Sequence, residues 1–407
     1  MRAKWDQFWA RWVRLWDFLG KIPAARCLRA ALFVWVIYSG VVAAIVAVDP
    51  SGRSATLEYQ HATDNWWAGK PLYEGKNHYL YLPQFAVFYT PFELLPHRVG
   101  EPLWRLVCMG SLAWALWAAA SRLAPAEKEA VFLVATALVL PSTFASARNG
   151  QVNMPLAALF LLTALALARE RWWWAAAALA LTIVFKPIAL APILICAFIY
   201  PKLRVPMLVS LLVAAAVPLA HPDPAYALGE YGAFVAKLQS AGKPTGNSWC
   251  DFAGMLRVAA IHLPPSVQLA IRALAGLLAL GLCWRAAKCA DALRAAFAVL
   301  FLAMVYLMLF NPRTETNSYV MLGAFVAIWA AVEGLVCRRL DIALWASLLA
   351  LLLGSENYGW VIFLLTNLWA KALATIALGI WLTLRIMRAR PGRAVLMDGP
   401  YRPHEPY

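Results

Sequence analysis

The sequence predicts an all-α polytopic membrane protein, a bundle of about twelve transmembrane helices whose long first outer loop carries interfacial helices. Three observations support this prediction. Of the 407 residues, 63% are hydrophobic and 14% are charged, whereas a soluble globular protein carries about 25% charged residues. The chain contains many apolar runs near the length of about 20 residues that crosses a bilayer. Finally, Lys and Arg concentrate in every second loop, as membrane topology requires.

The first 27 residues predict an amphipathic interfacial helix on the cytoplasmic side rather than a cleavable signal. In the segment WDQFWARWVRLWDFLG, aromatic residues and leucine recur at three- and four-residue steps, and arginine and aspartate occupy the other side. A helix with tryptophan on one face and arginine on the other lies in the headgroup plane of a membrane.

Residues 28–385 are predicted to form one integral membrane domain, and residues 386–407 a basic cytoplasmic tail. Several of its apolar segments are short, so ten or eleven spans is the alternative count. The twelve segments lie at residues 28–48, 102–121, 129–145, 152–168, 171–185, 187–200, 204–220, 265–284, 294–310, 318–336, 341–354 and 360–384.

The charge of the loops orients these segments. Residues 1–29 and every second loop after them carry Lys and Arg, and cytoplasmic loops are the ones with such an excess. Both termini are therefore predicted to be cytoplasmic, in a multi-pass protein of the inner (cytoplasmic) membrane. Topology also explains the net charge of +15, and no nucleic-acid partner is expected because no soluble segment combines basic and aromatic residues.

The outward-facing loops hold the polar residues that interrupt the apolar pattern. The long loops are residues 49–101 and 221–264. Three short polar islands, RNGQVN (148–153), FKP (185–187) and NPRTETNSYV (311–320), face the same side. Charged groups near hydrocarbon are costly and usually face a bundle interior or a water-filled cavity. Three islands on one side therefore predict a shared polar cavity, although one island alone could be a self-neutralising ion pair.

The first outer loop combines carboxylates with aromatic residues. An interfacial aromatic belt would explain Trp66 and Trp67, but it does not explain Glu58 or Asp64. Carboxylates of this kind are typical of sugar chemistry. Residues 80–95, which contain two prolines, predict a pair of short helices lying on the membrane. The loop's histidines lack a close third ligand, so no metal site is predicted.

Four sequence segments follow one another in a recognisable order: WWAGKPLYEG (66–75), YLYLPQFAVFYTPFELLP (79–96), GQVN (150–153) and FKP (185–187). In this order they resemble the membrane enzymes of glycosyltransferase family 87, and the resemblance extends over residues 28–385. The segment GNSW (246–249) is similar to an asparagine-containing segment of the same family. The family has the GT-C architecture and is typified by polyprenyl-phosphate-mannose-dependent mannosyltransferases.

The resemblance implies an inverting hexosyltransferase. It would move a sugar, such as mannose, from a polyprenyl-phosphate-linked donor to a lipid or glycan acceptor, at an active site facing the periplasm or exterior. A carboxylate would take the proton of the acceptor hydroxyl, and Arg and Lys would neutralise the leaving phosphate. No metal or other cofactor is expected, and the partners are the two substrates and membrane lipids.

The family's usual aspartate position falls on Ala55 in this chain. The resemblance therefore leaves the catalytic base open between Glu58 and Glu315, with Asp64 third. The predicted ligands of the donor phosphate are Arg313, Lys186, Arg148 and Arg53. The predicted substrate-binding residues are Tyr59, Asn149, Gln151, Asn247, Asn317 and Tyr319.

Two other functions fit a polar cavity in a membrane bundle. A transporter or flippase of an anionic lipid-linked solute would use such a cavity, but transporters often contain internal repeats. Residues 28–200 and 204–385 show no self-similarity. A non-catalytic family relative is the other alternative, because the usual aspartate is missing.

Overall fold

A computed structural model describes residues 2–48, 54–74, 79–241, 249–289, 291–389 and 396–397. Within these ranges the regular structure is entirely helical, which confirms the predicted all-α membrane bundle. The predicted site residues Arg53 and Asn247 lie outside the described residues, as do His78 and most of the basic tail.

The described residues form eighteen α-helices. They are α1 Arg2–Lys21, α2 Ala24–Val48, α3 Thr56–Trp67, α4 Pro83–Glu93, α5 His97–Leu123, α6 Lys128–Asn149, α7 Asn153–Ala168, α8 Trp172–Phe185, α9 Leu190–Ile199, α10 Arg204–Ala216, α11 Pro224–Ala241, α12 Phe252–Val258, α13 Pro265–Cys289, α14 Ala292–Phe310, α15 Val320–Leu335, α16 Leu340–Leu352, α17 Trp360–Thr366 and α18 Ala370–Arg388. Short 3-10 turns lie at Pro187–Ala189, Pro201–Leu203, Val217–Ala220, Thr316–Tyr319 and Ser355–Asn357.

Eight helical segments of the described chain are long and apolar enough to cross a membrane. They are Ala24–Val48, His97–Leu123, Lys128–Asn149, Pro201–Ala220, Pro265–Lys288, Ala292–Phe310, Thr316–Leu335 and Ala370–Arg388. Four more apolar helical segments are shorter, at Asn153–Ala168, Trp172–Phe185, Pro187–Ile199 and Leu340–Leu352. Each predicted apolar segment therefore contains helix, and eight of the observed helical segments have the length of a full span.

The last predicted segment, 360–384, is wrong as a single helix. α17 ends at Thr366 and α18 begins at Ala370. Between them Leu368 adopts a left-handed backbone conformation with φ of 67°, which an α-helix cannot accommodate. The break restarts the helix next to Lys371, whose side chain then points into the bundle.

The centre of the bundle is α15, which packs against α6, α7 and α16. All of its residues are buried. By contrast, α2, α10 and α13 expose many leucine, valine and isoleucine side chains, as helices in contact with lipid do. The polar stretch at residues 311–317 therefore stands at the start of the most deeply buried helix.

Part of the N-terminal helix α1 packs against the centre of the bundle. Trp16 is buried and its ring covers Gly334 on α15, where a Cβ atom would collide with the indole. Trp12 donates a hydrogen bond from Nε1 to the carbonyl oxygen of Leu340 (2.9 Å). Trp5 and Phe8 remain exposed, so the bundle takes up only part of the aromatic face and the rest is open to a lipid surface.

The first long loop contains α3 and α4. The predicted pair of helices within residues 80–95 is wrong, because α4 runs without interruption from Pro83 to Glu93. Pro83 stands at the first helical position, where its missing N–H costs nothing. Pro91 falls in the last turn, where it removes a single hydrogen bond near the helix end.

The predicted topology has a direct test. Gly229 on α11 is exposed with open space around it, and Lys202 is exposed in the turn before α10. A Gly229→Cys variant should react with an impermeant thiol reagent added outside intact cells, and a Lys202→Cys variant should react only after the membrane is opened. The native cysteines are replaced by serine where they give background. The reverse pattern of labelling would overturn the assigned orientation.

Candidate active site

The three polar islands meet at one end of the bundle. Gln151 Nε2 donates to Glu315 Oε2 (3.3 Å), and Asn153 Nδ2 donates to Asn317 Oδ1 (3.3 Å). Lys186 Nζ donates to Asn153 Oδ1 (3.1 Å). Asn153 Nδ2 also donates to Gln151 Oε1 (3.0 Å). These side chains, some of them more than one hundred positions apart in the chain, thus form one hydrogen-bonded network, which we call the polar network.

Helix ends bring these side chains together. α6 ends at Asn149, and Gly150 follows in the left-handed conformation (φ 64°), the usual conformation of a glycine that ends a helix. The chain reverses there and α7 begins at Asn153. α8 ends before Lys186, which is extended because the residue before a proline avoids the helical region. Each island is therefore a helix terminus turned towards the same place.

Glu315 interacts electrostatically with two cations. Its carboxylate attracts the ammonium of Lys186, which Arg313 repels. Burial lowers the pKa of Arg313, and Glu315 opposes that change. The Arg313 guanidinium also lies 4.6 Å from the centre of the Trp249 ring, a favourable cation–π distance. The site therefore holds two partly desolvated positive charges beside one carboxylate.

The aromatic residues of the first loop form one wall near this network. The hydroxyls of Tyr59 and Tyr81 are hydrogen-bonded (2.8 Å), and both side chains are buried. Burial raises the pKa of Tyr81, and the carboxylates of Glu315 and Glu58 raise it further, against the effect of the Tyr59 hydrogen bond. Both candidate bases therefore act electrostatically on the same phenol.

Glu58 lines a cavity of its own, with a volume of about 310 Å³. Four of the lining residues lie on one face of α3, because their spacing of three and four positions places them side by side. The lining residues are Glu58, His61, Ala62, Asn65, Leu72, Glu74 and Tyr79. The cavity is rich in groups that can hydrogen-bond to hydroxyls.

A buried ion pair ties the start of the first loop to the polar network. Glu101 and Arg105, one turn apart on α5, form a salt bridge with both side chains buried. Arg105 also donates from Nη2 to Ser54 Oγ (3.0 Å) and from Nε to the carbonyl oxygen of Arg148 (3.2 Å). The backbone N–H of Ala55 donates to the carbonyl oxygen of Asn149 (2.8 Å). α3 therefore starts at a fixed position next to the end of α6.

The other predicted residues take different places. Asp64 is exposed and acts electrostatically on Glu93, whose pKa is raised first by burial and then by Asp64. Tyr319 is buried and donates to the carbonyl oxygen of Cys250 (2.8 Å), so it supports the loop at 249–251. The side chains of Asn149 and Arg148 are half-buried at the end of α6.

Sequence reasoning missed several residues that the structure places at or behind the site. Asn153 links two islands, and Tyr81 lies near both carboxylates. Arg105 and Lys371 are buried charges within predicted apolar spans. A charged residue inside an apolar segment is itself a signal for function, and it could have identified these two.

The arrangement combines half-buried cations, a carboxylate, amides and a polar cavity at the ends of apolar helices. It suits an anionic polar substrate that reaches the protein from a membrane. The profile of glycosyltransferase family 87 matches residues 79–312, which is more than half of the chain. The chain belongs to glycosyltransferase family 87. It is therefore a membrane glycosyltransferase. A search of the curated proteins gives no match.

The match to family 87 includes α4, the island at 148–153 and Lys186, and it ends just before Arg313 and Glu315. Glu58 precedes it. The roles of Glu58, Arg313 and Glu315 in this family 87 member therefore depend on their position in the structure. Within the described residues, no group of three His, Cys, Asp or Glu side chains is arranged to hold a metal ion.

Proposed function

We propose that this family 87 enzyme transfers a hexose such as mannose, with inversion, from a polyprenyl-phosphate-linked donor to a lipid or glycan acceptor. The observation that carries the proposal is the polar network, in which Lys186 and Glu315 are held together by amides at the ends of apolar helices. A lipid-linked sugar phosphate needs this combination, because its chain stays in the membrane while its charged head requires buried cations.

Lys186 and Arg313 are proposed to hold the donor phosphate. Both are partly desolvated, and a fixed cation in a site of low dielectric stabilises a developing phosphate charge far better than water does. Arg148 and Arg53, from the same side of the proposed topology, would supply further positive charge. Gln151, Asn317 and Asn149 would donate to or accept from the hydroxyls of the sugar.

Glu58 is proposed as the general base, acting on an acceptor hydroxyl bound in its cavity. The family's aspartate position falls on Ala55, which directly precedes α3, and Glu58 stands one turn later. Side chains of a helix lean towards its N-terminus, and glutamate is one methylene longer than aspartate. The Glu58 carboxylate can thus extend back towards the place that the family's aspartate would occupy.

The proposed reaction is a single displacement. The acceptor oxygen bonds to the anomeric carbon as the bond from that carbon to the phosphate oxygen breaks. Glu58 takes the hydroxyl proton, and polyprenyl phosphate leaves with the electron pair of the broken bond. Glu315 is the second candidate for the base, but its contact with Gln151 and its electrostatic interaction with Lys186 and Arg313 favour a role in orienting the two cations. Asp64, exposed on α3, is third.

The proposal places the site at the outer face of the inner membrane, with both termini in the cytoplasm. The test is radiolabelled transfer. Membranes that contain the protein should move label from a polyprenyl-phosphate hexose into acceptor lipid or glycan, and matched membranes without it should not. Equal incorporation in the two membranes would contradict the proposal.

Metal independence is a further expectation of this mechanism. Because Lys186 and Arg313 are assigned the role of neutralising the phosphate, transfer should continue at an unchanged rate in excess EDTA. The measurement is the initial rate of label transfer before and after chelation. Loss of transfer that magnesium or manganese restores would show that the two side chains do not suffice.

A further inference from the structure

A second buried ion pair lies directly behind the polar network. Lys371, at the start of α18, is 2% exposed, and Glu356, in the 3-10 turn Ser355–Asn357, is 7% exposed. The two side chains form a salt bridge. Lys371 Nζ also donates to the carbonyl oxygen of Thr316 (3.0 Å). That carbonyl lies in the backbone between Glu315 and Asn317, two side chains of the polar network.

Stability alone does not account for this pair. Buried ion pairs are often no more stabilising than apolar residues of the same volume, because both charges lose their hydration. A lysine in the first turn of a helix also opposes the helix dipole. Burial raises the pKa of Glu356, and the charge of Lys371 opposes that rise. The pair is thus a costly feature, and Lys371 lies in a span-length helix, where ionisable residues usually serve function.

The contacts of the pair connect the segment 315–319 to α6. Asn357, next to Glu356, donates from Nδ2 to the carbonyl oxygen of Pro141 on α6 (2.7 Å). The Lys371 ammonium lies 5.6 Å from the ring centre of Tyr319. The salt bridge of Lys371 with Glu356 therefore joins the segment that carries Glu315 to the turn that is bonded to α6, the helix whose C-terminal end leads into Gln151.

We propose that Lys371 and Glu356 are a positioning pair, which holds the Thr316 carbonyl and thereby sets where Glu315 and Asn317 stand against Gln151 and Asn153. The inference rests on the proposed transferase function for its kinetic consequence only. Its structural consequence, a fixed segment at 311–319, can be measured without any substrate.

The experiment compares Lys371→Met with Lys371→Arg and with a matched control. Glu333→Gln is the control, because the buried Glu333 forms an ion pair with the half-buried Arg339 at the opposite end of α15. For purified protein in detergent, amide hydrogen exchange in peptides covering 311–319 is measured, together with transfer kinetics and the midpoint of thermal unfolding. Glu356→Gln is included as a variant that retains size and hydrogen-bonding capacity.

Lys371→Met is expected to speed exchange in 311–319 and to lower kcat/KM about 10²-fold, the effect of a misplacement of about 1 Å within a substrate-binding site. Lys371→Arg can still donate to both partners, so its hydrogen exchange in 311–319 and its kcat/KM should be close to those of the wild type. Glu333→Gln should change neither, whatever its effect on the unfolding midpoint. If Lys371→Met does not fold, Glu356→Gln gives the same readout.

Unchanged exchange and kinetics in the folded Lys371→Met and Glu356→Gln variants would overturn the positioning role. So would changes no larger than those of Glu333→Gln. If the wild-type protein transfers no sugar, the transferase proposal fails, whereas faster exchange in the variants would still support the positioning pair.

Discussion

Replacing Glu58 with glutamine is expected to slow sugar transfer about 10²–10⁴-fold, the usual contribution of a general base. Glutamine keeps the size of the side chain and can hydrogen-bond to an acceptor hydroxyl, but it cannot take the proton. Donor affinity should stay near that of the wild type, because Lys186 and Arg313 are unchanged. The measurement is the single-turnover transfer rate, with donor affinity determined separately.

Glu315→Gln is the informative comparison. Glu315 accepts from Gln151 Nε2 and interacts electrostatically with Lys186 and Arg313, so loss of its charge should weaken donor binding by misplacing the two cations. A variant whose rate falls at saturating donor, with affinity retained, identifies the base. If that variant is Glu315→Gln, then the assignment of Glu58 is wrong. Near-normal rates in both variants would mean that Asp64 is the general base or that the proposed mechanism is wrong.

Replacing Lys186 with glutamine is expected to lower kcat/KM for the donor about 10²–10³-fold, the range found when one donor to a developing negative charge is removed. Lys186 is the cation fixed most closely in the polar network, through its hydrogen bond to Asn153 Oδ1. An amide can keep that contact but carries no charge. The loss should therefore appear as weaker donor binding and slower departure of polyprenyl phosphate.

Lys202→Gln is the matched control, since Lys202 is exposed and pairs with an exposed Glu170. Exposed ion pairs contribute about 0–1 kcal/mol, so this variant should transfer sugar like the wild type. Equal losses in both variants would indicate a general effect of charge on the protein. Wild-type kinetics in Lys186→Gln would remove Lys186 from the phosphate site.

The sequence was sufficient to predict which segments are helical, because each span needs a long apolar run and the interruptions are conspicuous. It also predicted that the three islands face one side, from the alternation of basic loops. The interruption at Asn367 and Leu368 is not predicted by the sequence. A single polar residue inside an apolar run can also occur within a continuous transmembrane helix, so it does not indicate that the helix ends there. α4 was divided wrongly, because Pro91 was expected to end a helix that it only weakens near its terminus.

The partners within the site were harder to predict. Which side chain of RNGQVN meets Glu315, and which meets Lys186, depends on how α6, α7 and α8 pack, and one sequence does not contain that information. Asn153 was therefore overlooked beside Gln151, although both take part in the polar network. Arg105 and Lys371 were overlooked because their partners are distant in the chain or across a loop.

Sugar transfer by the reconstituted protein is the most direct test of the proposed reaction. Purified protein in liposomes is given a polyprenyl-phosphate hexose with radiolabelled sugar and a membrane-lipid acceptor fraction. Labelled acceptor product and free polyprenyl phosphate are then quantified. We predict that labelled acceptor and free polyprenyl phosphate appear in equal amounts. Neither product should appear with the Glu58→Gln, Glu315→Gln double variant. Intact donor that only moves between the leaflets, or donor that stays unchanged with every hexose tested, would contradict the proposed reaction.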